Sequence, residues 1–297
     1  MAVFEDTRQR EVERVVRRSR ARARLRGGLW LVVVYSVLTF VAVLTILPYL
    51  WMVMNSFKEQ SNFYQDPYSL IPTKWSIRTY YSVLTVGKVG RYVVNSFAYS
   101  STVLAAQLLM NSLAAYAFAR IEFKGRNVLF ILFLATMMLP SSVTLIPTYV
   151  LVYSLKLANS FAGVVLPSFA GAFGVFLLRQ FFLNIPRELE DAAVMDGAGR
   201  VRIYWQIILP LAKPAMITLG VFTVLGEWQS FIWPLVVLTE RDKYPITVGL
   251  NLFKDSNRVY WPQVLAASVV GSAPLIFLFL VSQKFLIGGI TLSGLKG

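Results

Sequence analysis

The sequence contains no cysteine and no histidine in its 297 residues. Disulfides, thiolate nucleophiles, iron–sulfur clusters, histidine general bases and histidine-ligated metal sites are therefore excluded. Charged residues are also scarce, at 15% against 56% hydrophobic and 14% aromatic, a balance that soluble domains rarely show. No Gly-x4-Gly-Lys-Ser/Thr phosphate loop occurs, and no glycine-rich strand-to-helix turn, so the chain is not expected to bind ATP by itself. No catalytic residue, cofactor or metal ligand is assigned to it, and any energy source lies in a partner or a gradient.

Long apolar runs dominate what remains. Uncharged blocks cover residues 29–57, 92–119, 127–155, 157–178 and 259–283, and a sixth, 214–239, is apolar apart from Glu227. A bilayer core of about 30 Å takes about 20 apolar residues per helix. Strands of a membrane barrel would alternate over about 10 residues, and nothing here does. The pattern predicts an all-α polytopic membrane protein of six transmembrane helices, the third and fourth parted only by a short turn at Lys156. The first block is too long for the apolar region of a secretory signal and no small-residue cleavage site follows it, so it reads as a retained helix.

Residues 1–28 form a basic arm with Arg8, Arg10, Arg14, Arg17, Arg18, Arg20, Arg22, Arg24 and Arg26. Such a cluster beside a span marks the cytoplasmic side, and with six spans the C-terminus is cytoplasmic too. The remaining basic residues split evenly between the two sides, so the orientation rests on the arm. Apolar residues interrupt its arginines, which allows either an amphipathic helix on anionic lipid or a solvated tail that fixes topology. The net charge of +14 carries no nucleic-acid motif with it, and lipid explains it more simply. Residues 58–91, with Pro67, Pro72 and several aromatics, predict a small ordered external loop.

The most informative stretch is residues 184–210, between the fourth and fifth spans. Asn184 suits a helix cap and Pro186 a first turn, Glu188, Glu190 and Asp191 complement the positive end of a helix dipole, and Gly197 supplies a stop. A second short helix follows to Leu209. Ala192 and Ala193 let another backbone approach closely. These features describe either a docking helix or an amphipathic connector on the bilayer.

Asp191-Ala192-Ala193, Gly197 and Ile207-Ile208-Leu209-Pro210 fall on a known pattern, Glu-Ala-Ala, three residues, Gly, nine residues, Ile-x-Leu-Pro. In this the chain resembles the EAA loop of ATP-binding-cassette (ABC) importer permeases. Its one departure, Asp191 for Glu, shortens the acid by a methylene and keeps its charge. Asn95-Ser96, residues 114–120, Met138-Leu139-Pro140 and residues 173–182, 209–215 and 294–297 narrow the likeness to the carbohydrate-uptake permeases, similar to the six-helix maltose-system subunit.

The resemblance implies a sugar importer in the cytoplasmic membrane of a prokaryote, with a second permease, two copies of a cytoplasmic ATPase that holds the ATP and magnesium, and an extracytoplasmic solute-binding protein. It implies that Glu190, Asp191, Ala192, Ala193, Asp196 and Gly197 couple the chain to the ATPase. It also implies that the tail 288–297, through Gly294, Leu295, Lys296 and Gly297, reaches the ATPase pair.

Glu227 is the one acid placed within a span, and such residues are costly and often functional. With Trp228 and Gln229 it is a candidate for a pathway that takes hydroxyl-rich ligands, or else for a helix-to-helix hydrogen bond. The family usually carries Asn at the position of Gln229. An ABC permease for peptides or amino acids is the nearer alternative. An ion-coupled secondary transporter explains Glu227 but not the EAA pattern, and no internal repeat supports it.

Overall fold

The computed structural model describes residues 2–253 and 259–293. The first helix, α1 (Ala2–Ser56), joins arm and first span without a break. Its apolar part, Trp30–Ser56, has mean hydropathy 2.5 and none of its most apolar stretch buried inside the protein, as lipid-facing side chains require. After a loop carrying α2 (Gln60–Gln65) and α3 (Arg78–Thr85) comes α4 (Val89–Arg120), about 48 Å long at 1.5 Å per residue. The last helix, α15 (Trp261–Ser293), is the third that is long and apolar enough to span alone. It passes through Gly288 as helix up to Ser293. The tail expected to leave the span at residue 288 is therefore helix as far as Ser293, and Gly294, Leu295, Lys296 and Gly297 lie outside the described residues.

The other three blocks are bent pairs, and six spans result if each pair counts as one. The block at 127–155 breaks into α5 (Arg126–Ala135), extended by one 3-10 turn to Met138, and α6 (Ser141–Ser154), with an angle of 103° between them. The prolines of this block, Pro140 and Pro147, lead one to expect a bend without fixing its direction, and Pro140 sets where it falls. The ring crowds the residue before it out of helical space, and Leu139 accordingly lies at φ −80, ψ 120. The fourth block bends by 42° between a segment Phe161–Ser168, containing α7 (Phe161–Val165), and α8 (Ala172–Leu183). Lys156 and Asn159 are both left-handed and form the turn before α7.

The centre of the bundle is α4, which packs chiefly on α8 and on the fifth apolar helix, α12 (Lys213–Gln229), and to a lesser degree on α15. The buried face of α4 mixes tyrosine and valine with small and polar residues, among them Ser96, Ser100, Asn111, Ser112, Ala115 and Ala119, and the small ones let membrane helices approach closely. Asn111 Oδ1 accepts the Gly171 N–H at 3.0 Å, which satisfies the start of α8 where its span is broken.

The loop expected over residues 58–91 is folded, and its last three residues belong to α4. Lys58 is buried and donates to the Asp66 carbonyl (2.8 Å), the Ser69 carbonyl (3.1 Å) and the Ser69 hydroxyl (2.8 Å). At the same end of α4, Asn95 donates to the Asp242 and Tyr244 carbonyls and Tyr99 to the Lys243 carbonyl, fixing the loop between the short helices α13 (Ile232–Val237) and α14 (Ile246–Gly249).

Candidate coupling site

At the opposite end of α4 the chain leaves α8 and folds into a helix–turn–helix. Asn184 closes α8, donating back to the Gln180 carbonyl, instead of capping the next helix. That helix, α9 (Glu188–Met195), starts three residues later than the Asn184 signal suggests, with Arg187 at its N-cap position. Glu188, Glu190 and Asp191 do occupy its first turn, where acids oppose the positive dipole end.

Gly197 ends α9 at φ +80. Gly197 N–H donates to the Val194 carbonyl (2.9 Å) and Ala198 N–H to the Ala193 carbonyl (2.8 Å). These are the two bonds of a Schellman cap, which wants a left-handed residue at this position. A Cβ on Gly197 would meet nothing within 4 Å, so the demand for glycine comes from the backbone alone.

Beyond the turn, α10 (Arg200–Ile203) runs into a π turn over Tyr204–Ile208 and the short α11 (Leu209–Leu211). A 76° bend at Ala212 then turns the chain into α12. Pro210 lacks the N–H that would bond back to Gln206, which favours a widened turn at this point.

Three side chains of α4, Arg120, Tyr116 and Ser112, hold this loop to it. Arg120, the last residue of α4, donates through Nη2 to the Phe182 carbonyl at 2.6 Å and to the Ile185 carbonyl, and its Nε lies 2.8 Å from Glu190 Oε1. The side chains of Arg120 and Glu190 are 4% and 15% exposed. The guanidinium is thus set between the negative end of α8 and the first turn of α9. Tyr116 and Tyr204 rings sit 5.3 Å apart, and the Ser112 and Tyr204 hydroxyls are 2.7 Å apart. Leu178, Phe182, Ile203, Ile208 and Ala212 complete the apolar core beneath.

The outer face of α9 is different. Asp191, Ala192, Asp196 and Gly197 are exposed, Met195 is 87% exposed, and Leu189 and Val194 stand open beside it. Ala193 is partly covered and packs on the core. The six residues assigned to coupling therefore divide between an outward set and two, Glu190 and Ala193, that face the protein.

The three residues grouped around Glu227 do not share a face. Trp228 is 4% exposed and donates through its indole N–H to the Gly271 carbonyl of α15 at 3.0 Å, a helix-to-helix bond. Glu227 is half-buried beside Ser168, and Gln229 ends α12 exposed. Gln107 joins Glu227 at the break in the fourth span: its amide donates to the Ser168 carbonyl and accepts from Thr223, both at 2.8 Å. A glutamine in mid-block was a visible signal for this node. Arg120 was not, because a basic residue closing an apolar block reads as a topology marker.

Long lipid-facing helices packed on an apolar core, with a capped and exposed helix at one end, define a polytopic membrane protein. Residues 107–291 match the family of binding-protein-dependent transport system inner membrane components, and the chain belongs to that family. It is 32% identical over 261 residues to the arabinooligosaccharides transport system permease protein AraQ of Halalkalibacterium halodurans, covering 87% of this chain and 94% of the relative. To the diacetylchitobiose uptake system permease protein NgcG of Streptomyces coelicolor it is 31% identical over 262 residues, 86% of each. A crystal structure of a bacterial ABC transporter that imports the acidic polysaccharide alginate has the same fold, with TM-score 0.78 at 24% identity over 86% of this chain and 96% of that one.

Proposed function

We propose that the chain is the permease subunit of an ATP-driven sugar importer, with both ends on the cytoplasmic side. A second permease completes the pathway, two copies of a cytoplasmic ATPase bind ATP and magnesium, and an extracytoplasmic binding protein delivers the sugar. The observation that carries this reading is α9, which presents Asp191, Ala192 and Met195 outward on a helix ended by the Schellman cap at Gly197. The oligosaccharide relatives support the substrate class.

Mechanistically the loop is a lever. Closure of the ATPase pair moves α9, whose attachments run covalently to α8 and, through α10 and α11, to α12. Packed elements with two arrangements convert that displacement into a change of pathway opening. Exposed ion pairs contribute only about 0 to 1 kcal/mol each, so the apolar seating of Leu189 and Met195 matters at least as much as the acids. In the pathway, Glu227 with Gln107 and Thr223 offers hydrogen bonds to hydroxyl-rich ligands, whereas Trp228 serves packing.

Reconstitution with binding protein, second permease and ATPase tests this. Oligosaccharide uptake should need ATP and the loaded binding protein, and the single chain should bind no nucleotide. Uptake driven by an ion gradient in the absence of ATP would overturn the reading.

A further inference from the structure

We propose that Arg120 and Glu190 form an intrachain latch that makes α9, the C-terminal end of α8 and the last turn of α4 one rigid body. Neighbouring acids of the helix then have opposite tasks: Glu190 is a positioning residue and Asp191 docks the partner. This rests on the coupling function proposed above for α9.

The helix has little of its own to hold it. Eight residues are too few for stable isolated helix, and α9 has no buried residue. No covalent segment joins it directly to α4, the central helix of the bundle. Beside the packing of Ala193 on the core, the polar connection is made by Arg120, whose single side chain reaches two carbonyls at and just after the end of α8 and the carboxylate of Glu190. At 4% exposure the guanidinium cannot exchange Glu190 for water cheaply. Removing the carboxylate leaves a buried cation with only carbonyl partners, so the orientation of α9 is tied to the pair. Asp191, one residue on and turned by about 100°, is exposed and has no part in it. With the latch closed, a push on α9 reaches α4 directly as well as through the bend at Ala212.

The absence of cysteine allows clean spin labelling at Leu113→Cys on α4 and Met195→Cys on α9, both exposed. The latch predicts one narrow distance, the same in the isolated full chain and in the assembled complex, and unchanged by ATP. Glu190→Ala should lower the population at that distance by about tenfold or more, the scale of breaking a buried pair. Glu190→Gln, which keeps the length of the side chain but not the charge that Nε faces at 2.8 Å, should restore only part of it, and Asp191→Ala should leave it unaltered. A wild-type distribution in Glu190→Ala, or equal broadening by Asp191→Ala, overturns the latch. The isolated-chain measurement needs no partner, so an absent ATPase would defeat the proposed function and leave the latch result standing.

Discussion

The hydroxyls of Ser112 and Tyr204 lie 2.7 Å apart, buried where α4 meets the π turn that precedes α11. Tyr204 also packs its ring on Tyr116 at 5.3 Å. One side chain therefore supplies both a hydrogen bond and apolar area to the same joint, and the two contributions separate by substitution. Tyr204→Phe keeps the ring and should cost about 0.5–1.5 kcal/mol. Tyr204→Ala opens a cavity and should cost about 3–5 kcal/mol. Thermal unfolding of the detergent-solubilised chain reads the difference.

Gly197 makes a sharper case, because the surrounding space is open and only its φ of +80 resists a side chain. Gly197→Ala should cost about 1 kcal/mol, and Gly197→Val more, by unmaking the Schellman cap. The chain should still insert, since the spans are untouched. Transport should fall with the ATPase still bound, measured as uptake per ATP hydrolysed.

Asp191→Lys reverses charge on the exposed face of α9. Its effect on the chain's own stability should stay within about 0.5 kcal/mol, as for other surface substitutions. Recovery of the ATPase on affinity purification should drop, and wild-type recovery would count against the docking role.

At the other end of α4, Lys88 Nζ lies 2.8 Å from Asp242 Oδ1. The hydrogen bond and charge of Lys88 hold the Asp242 carboxyl below its ordinary value of 3.8. A lowered carboxylate pKa stabilises the folded loop above that ordinary value, and the contribution is lost as pH falls through the folded pKa. Hydrogen exchange in residues 239–244 should therefore be flat with pH around neutrality, apart from the intrinsic rate, and should accelerate only in acid. Asp242→Asn should shrink that acid step, the remainder belonging to Glu240, which Lys243 and Asn159 likewise hold low.

The spans were legible in the sequence because burial in hydrocarbon is a demand on composition, which uncharged blocks meet without any periodicity. Gly197 was legible because one left-handed position at a helix end asks for glycine. The bend at Pro140 had its cause in view, yet 127–155 reads as one block because hydropathy does not register backbone direction. Asn184 was misplaced because the same side chain can close one helix or open the next, and here it bonds back to Gln180. The Arg120–Glu190 pair was hidden entirely, since local patterns do not report which distant residues a fold brings together. Trp228 and Glu227 are adjacent in sequence but point to different neighbours, as consecutive helical residues do.

The most direct test of the central claim uses Met195, 87% exposed on α9, in a chain that has no other site for thiol chemistry. Met195→Cys carrying a short photoactivatable cross-linker should, in native membranes, give one major adduct whose partner is a nucleotide-binding ATPase subunit, with a yield that changes when ATP is added. Labelling of Met195→Cys by lipid or solvent reagents alone, with no protein adduct in membranes that take up the sugar, would contradict the account.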